Sequence, residues 1–243
     1  MILTVLIGNT HTRMVWFEKR GILRRQIIAS EKLTEYLPRL RLARRVKGAA
    51  LASVVPRLTL PVYRTLCPQT PTLLVTASTR TPLQFRYDRS CLGTDRVCVG
   101  VGAYCRFRRP LIVVDFGTAI TLNAIDKNGL FLGGPILPGV EMMLASLAQH
   151  TGRLPRVNFA ARKSALTRTT VSAIQAGVFN LLTGGLKHII NQMSREIGSK
   201  FLVVATGGLA QRFKRHLRFL KVVDQDLGNK GLAEIFYLNR RSE

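Results

Sequence analysis

The chain has 243 residues, is 47% hydrophobic, and carries 37 lysines and arginines against 13 acids, a formal net charge of +24. That length supports one large domain or two small ones, each with a sizeable core. No apolar run approaches the ~18 residues of a membrane span, and the short run Met1 to Ile7, with no basic stretch before it and Gly-Asn-Thr after it, reads as a strand rather than a signal peptide.

In chain order, strands are expected at 2–7, 12–17 and 22–29, with Lys19-Arg20-Gly21 as a turn. Residues 31–46 carry a helical pattern disturbed by Pro38. A small-residue strand, 48–54, precedes a helix opened by Pro56 and running toward Cys67. Strands follow at 72–76 and 83–87. Gly93-Thr94-Asp95-Arg96 begins a helix that runs to about Phe107 and ends at Arg108-Arg109-Pro110. A strand, turn and strand follow, in which Leu111 to Val114 leads into Asp115-Phe116-Gly117-Thr118 and then Ile120 to Ile125. Lys127-Asn128-Gly129 is a turn, and Leu130 to Leu132 continues the sheet. A Gly/Pro loop over 133–139 leads into a helix to 149, and 151–167 is a basic loop. A long helix is expected from Thr169 to Ile197 with a break at Gly184-Gly185. A strand over 201–205 ends in Thr206-Gly207-Gly208. A helix to Arg218, a strand over 220–224 and a helix over 229–238 close the chain.

The Asp115 segment has a counterpart at the start of the chain. An offset of 109 residues places Gly8 on Gly117, Thr12 on Thr121 and Leu6 on Asp115. A Gly/Thr turn lets backbone N–H groups approach a phosphate closely, and a neighbouring carboxylate can hold a cation that neutralises its charge. Two such hairpins imply a duplicated α/β fold with a nucleotide between the halves, divided near residue 108 into 1–108 and 109–243. Only the second copy has the acid.

Cys67, Cys91, Cys98 and Cys105 form no C-x-x-C pair, so buried free thiols are expected rather than disulfides or a metal site. With no membrane span and this cysteine usage, the expected compartment is the cytoplasm. The basic excess admits a polyanionic partner such as nucleic acid. Its densest groups, 39–47 and 212–218, have helical spacing without interleaved aromatics, which favours solvated helix faces.

The ordered series Ile7-Gly8-Asn9-Thr10, Ser53-Val54-Val55-Pro56, Tyr87, Gly93-x-Asp95-Arg96, Asp115-Phe116-Gly117-Thr118, Gly133-Gly134-x-Ile136-x-Pro138-Gly139, Leu154-Pro155, Thr170 with Gly177, and Thr206-Gly207-Gly208 resembles the type III pantothenate kinases of the actin-like ATPase superfamily. The resemblance covers nearly the whole chain. It implies two ribonuclease-H-like lobes, a homodimer, Mg²⁺, a monovalent cation (K⁺ or NH₄⁺), and transfer of the ATP γ-phosphate to the hydroxyl of pantothenate, the first step of coenzyme A synthesis. It assigns Asp95 as the general base, and Tyr87, Gly93, Thr94, Arg96 and Thr170 together with Asp95 to the substrate. It assigns 6–13 (Leu6, Ile7, Gly8, Asn9, Thr10, His11, Thr12, Arg13) and Thr118 to ATP, with Gly207 and Gly208 on its adenosine side, and Asp115 to the monovalent cation. The chain departs from the family at Leu6, where the family has Asp. Leucine neither coordinates a metal nor accepts a hydrogen bond, and no other acid precedes Glu18. Leu6 therefore predicts a weakened kinase. The rival reading is a catalytically impaired relative that acts by binding nucleic acid or as a regulatory accessory protein.

Overall fold

The computed structural model describes residues 1–240. Its elements are β1 (Ile2–Ile7), β2 (His11–Glu18), β3 (Gly21–Ala29), α1 (Leu33–Tyr36), β4 (Ala49–Ser53), α2 (Pro56–Leu66), β5 (Thr72–Leu74), β6 (Gln84–Phe85), α3 (Thr94–Phe107), β7 (Leu111–Phe116), β8 (Ala119–Ile125), β9 (Leu130–Gly133), β10 (Ile136–Pro138), α4 (Val140–Gln149), α5 (Thr170–Ile197), β11 (Leu202–Thr206), α6 (Ala210–Lys214), β12 (Val222–Val223) and α7 (Leu227–Arg240). Contacts divide them into two units. The first holds 1–109, 125–133 and 226–240; the second holds 110–124 and 134–225.

The first unit is built on the sheet β3-β2-β1-β4-β5. β1 runs antiparallel to β2 and parallel to β4, and β4 is parallel to β5. β1 is central and largely apolar, with Thr4 its one polar residue, as a strand covered on both sides must be. Leu3, Val5, Ile7 and Leu51 are fully buried with Val62 and Leu66 of α2. The second unit repeats the pattern. β8, β7, β11 and β12 are successive neighbours, β7–β11 and β11–β12 are parallel, and β10 pairs with β8. Phe213 of α6 stacks on Phe116 at 4.7 Å and on Phe159 at 5.4 Å between ring centroids. In each unit a hairpin is extended by parallel strands, β4 and β5 in the first and β11 and β12 in the second, the arrangement expected of ribonuclease-H-like lobes.

Several elements differ from the sequence expectation. The helix expected over 31–46 is three short turns over 30–39 followed by an irregular loop. Pro38 has no N–H to continue a helix, and Leu33, Leu37 and Leu40 pin the turns to the core. Of the basic residues 39–47, Arg39 ends the last short turn and the others are loop residues, not a helix face. No break occurs at Gly184-Gly185: α5 is continuous for 28 residues, opened by a Thr169/Ser172 capping box. The loop expected over 133–139 contains β10, α6 stops at Lys214, and α7 starts at Leu227. The thiols are all free, but Cys67 and Cys91 are exposed, Cys105 is half-buried and only Cys98 is fully covered.

Residues 226–240 belong by their contacts with the first unit, because α7 lies against α3. Glycine makes the approach possible. A Cβ on Gly231 would collide with the Cys98 carbonyl oxygen, and one on Gly102 with that of Leu227. Both obstacles are backbone, which cannot swing away. Gly231→Ala is expected to destabilise the protein by at least the ~1–3 kcal/mol typical of overpacking, read as a lower denaturant midpoint at unchanged slope.

Candidate active site

The first hairpin turns at Gly8-Asn9-Thr10. The Gly8 N–H donates to the His11 carbonyl at 3.1 Å, and a Cβ on Gly8 would stand 3.1 Å from the same oxygen. Ser30 fastens the turn from below. Its hydroxyl donates to the Gly8 carbonyl at 2.7 Å and lies 3.0 Å from the Thr12 hydroxyl, and its N–H donates to the Thr10 carbonyl at 2.9 Å. Asn9, Thr10 and His11 are exposed, Arg13 is half-buried, and Thr12 is fully buried under the turn.

The second hairpin turns at Gly117-Thr118, both exposed. It is hemmed by glycine backbone. A Cβ on Gly139 would strike the Thr118 carbonyl, and one on Gly207 would stand 2.5 Å from Asp115 Oδ1. Gly207 adopts φ +89°, which also favours glycine there. The next residue, Gly208, opens onto free space.

β1 and β7 have the same burial sequence: four buried residues, one half-buried, one buried. The half-buried position is Leu6 in one and Asp115 in the other. In the parallel ladders Leu6 stands opposite Ala52, and Asp115 opposite Thr206. The acid and the leucine therefore occupy equivalent places in the two hairpins. Leu6 is packed as an apolar residue: Gly228, at the start of α7, has no Cβ, and one built there would lie 2.8 Å from Leu6 Cδ2.

Asp95 sits in the first turn of α3. Gly93 is the N-cap residue, and the Thr94 hydroxyl donates to the Ser53 carbonyl at 2.9 Å, tying the helix start to the end of β4. Asp95 Oδ1 accepts the Arg96 N–H at 2.7 Å. A Cβ on Gly93 would come within 2.6 Å of that oxygen, so glycine keeps the carboxylate's approach open. Burial pushes the Asp95 carboxyl above its ordinary range, against the smaller lowering by the Arg96 N–H and the Arg96 charge.

Arg96 is 6% exposed, with its guanidinium carbon 5.7 Å from the ring centroids of both Tyr87 and Phe131. Tyr87 is 40% exposed and meets Phe131 edge-on. The expected substrate residues Tyr87, Gly93, Thr94, Asp95 and Arg96 thus gather in the first unit. Thr170 lies in the second, as the first residue of α5. Phe131 was not anticipated. It reaches Tyr87 because β6 and β9 pair in parallel, a pairing between short strands that no local pattern announces.

Among the described residues no three His, Cys, Asp or Glu side chains gather as a metal centre. The donors fit a cation held mainly by phosphate oxygens and water, for which one or two carboxylates suffice. Asp115 places one carboxylate at the second hairpin, and position 6 places none at the first.

The architecture and its paired Gly-turn hairpins define an actin-like ATPase fold. Solved structures share it: a conserved Baf family protein from Campylobacter jejuni (TM-score 0.66, 20% identity, 99% of this chain and 100% of that one) and the 2-hydroxyisocaproyl-CoA dehydratase activator of Clostridium difficile with bound ADPNP (TM-score 0.55, 14% identity, 99% and 96%). The sequence profile of the type III pantothenate kinases matches residues 2–192. Type III pantothenate kinases from Brevibacillus brevis and from Anaeromyxobacter sp. strain K are 36% and 35% identical to the chain. The matches cover 80% and 96% of it, and 78% and 89% of those proteins. The chain belongs to the type III pantothenate kinase family.

Proposed function

We propose that this chain transfers the γ-phosphoryl group of ATP to the hydroxyl of pantothenate, with Asp95 as general base. The observation that carries the reading is the half-buried carboxylate of Asp95, its pKa raised by burial, next in the first turn of α3 to the buried Arg96. Asp95 takes the hydroxyl proton as that oxygen bonds to the γ-phosphorus; the bond from phosphorus to the bridging oxygen breaks and ADP leaves. Arg96, backed by Tyr87 and Phe131, has the donor fork that suits the substrate carboxylate. The family resemblance adds Thr170, the first residue of α5, to the substrate residues. Gly8 to Thr10 and Gly117-Thr118 offer backbone N–H groups to phosphate, with 6–13 and Thr118 as the nucleotide segments. Asp115 holds a cation, the K⁺ or NH₄⁺ of the family pattern; Mg²⁺ entering with ATP supplies charge neutralisation on the phosphates.

The test is conversion of pantothenate to 4′-phosphopantothenate, followed by mass spectrometry, with purified protein, ATP, Mg²⁺ and K⁺; absence of product removes the reading. Arg96→Lys keeps the charge and loses the planar fork. It is expected to raise the KM for pantothenate about tenfold or more while leaving that for ATP nearly unchanged.

The reading includes a homodimer and a cytoplasmic setting. Leu181 (65% exposed) on α5, alongside Gly177 and Gly184 with open space above them, gives a face suited to a second copy. No helix among the described residues is long and apolar enough to cross a membrane. Basic residues outnumber acids in both units, so the charge singles out neither as a nucleic-acid face.

A further inference from the structure

The first hairpin is held in shape by a residue outside it. Ser30 follows directly on β3 and is 1% exposed. A serine hydroxyl has a single proton to donate. That proton goes to the Gly8 carbonyl at 2.7 Å, which can only accept. At the 3.0 Å contact with Thr12, the Thr12 hydroxyl is therefore the donor and Ser30 Oγ the acceptor. Thr12 is fully buried, and its proton is committed inward. The two hydroxyls form a relay from Thr12 through Ser30 to Gly8, in which each bond polarises the next. The Ser30 N–H adds a further tie, to the Thr10 carbonyl at 2.9 Å. The relay also fixes a peptide plane. None of the described peptide bonds is cis, and in a planar trans unit the C=O and the N–H that follows it point to opposite sides. With the Gly8 carbonyl held against buried Ser30, the Asn9 N–H points away from it. Asn9 is exposed, and its N–H has no acceptor among the described residues.

We propose that Ser30 is a positioning residue for nucleotide binding: backed by Thr12, it aims the Asn9 N–H at a phosphate oxygen of ATP. The inference rests on the nucleotide part of the reading above and goes further than it. It singles out one N–H of the turn, and it moves Thr12 from the nucleotide contacts to the support beneath them. A hydrogen bond from a backbone N–H to an ionised phosphate oxygen is among the stronger ones. A donor already aimed before the ligand arrives has little freedom left to lose on binding.

Calorimetry on the full chain with a non-hydrolysable ATP analogue and Mg²⁺ is expected to show Ser30→Ala binding about tenfold more weakly than the unaltered protein, the loss that follows when one such hydrogen bond is no longer held in place. In turnover, the KM for ATP should rise by a similar factor while that for pantothenate stays unchanged. A role in stability alone would lower the active fraction, and so kcat, with both KM values unaltered. Thr12→Val keeps the shape of the side chain and removes its hydroxyl, yet leaves Ser30 its own proton for Gly8. It is expected to cost less affinity than Ser30→Ala, whereas a threonine in direct contact with phosphate would cost more. The Asn9 amide resonance, followed by heteronuclear NMR, is expected to move downfield when the analogue is added. Equal affinity in Ser30→Ala, a larger loss in Thr12→Val, or an unmoved Asn9 resonance under saturating analogue overturns the inference. Analogue binding by the unaltered protein without formation of phosphopantothenate would remove the kinase reading and leave this one standing; no binding at all would remove both.

Discussion

Asp95→Asn is expected to lower turnover by about 10²–10⁴-fold, the usual contribution of a positioned general base, while raising the melting temperature. Both halves come from the same burial. Desolvation is the largest influence on this carboxyl and lifts its pKa above the unfolded value. A group so raised binds its proton more tightly in the folded state. Its protonated form favours the fold, that contribution fades as pH rises through the folded pKa, and at neutral pH the ionised carboxylate is a net cost. Asparagine removes the charge and keeps an oxygen to accept the Arg96 N–H. The pH profile provides a second check. A base must be ionised to accept a proton, so the acid limb of kcat/KM should titrate above the ordinary aspartate range, and Asp95→Asn should abolish that limb from the residual rate. A variant that loses activity together with stability would point instead to a structural role for Asp95.

What the sequence made legible was local. Each hairpin shows itself as an apolar run broken by a Gly turn, and the 109-residue offset between them reappears in the matching burial of β1 and β7. The start of α3 shows itself through Gly93 and the acid in its first turn. Misreadings arose where a local pattern competed with distant packing. Leu33, Leu37 and Leu40 recur at helical spacing, yet after Pro38 the chain has no ladder to continue. Gly184 and Gly185 looked like a break, but they lie on the open side of α5 while Leu182 and Leu186 hold its other side in the core. Two features of the candidate site had no local signature. Phe131 joins Tyr87 and Arg96 only through a short parallel pairing. The return of α7 to the first unit depends on backbone meeting backbone at Gly102 and Gly231.

Leu6→Asp is expected to raise Mg²⁺-dependent turnover by about 10²-fold, the lower end of what one well-placed electrostatic contact contributes in an active site. The direction follows from the equivalence of positions 6 and 115, each the half-buried residue near the end of its strand and one residue from its turn's lead-in. Leucine at position 6 leaves the first hairpin with backbone donors alone. An acid there adds a second carboxylate for cation neutralisation, which phosphoryl transfer uses heavily. The same change carries a stability cost, because Leu6 Cδ2 lies against the start of α7 at Gly228. Losing that apolar contact should lower stability by about 1–3 kcal/mol, offset in part because an anion near a helix N-terminus is favoured by the helix dipole. The variant should therefore be faster and less stable, and its gain should depend on the concentration of Mg²⁺. Leu6→Asn, similar in size and uncharged, separates the two effects: it should reproduce the loss of stability without the gain in rate. If Leu6→Asp and Leu6→Asn behave alike in turnover, position 6 has no part in charge neutralisation, and the cation contribution of this chain rests on Asp115 alone.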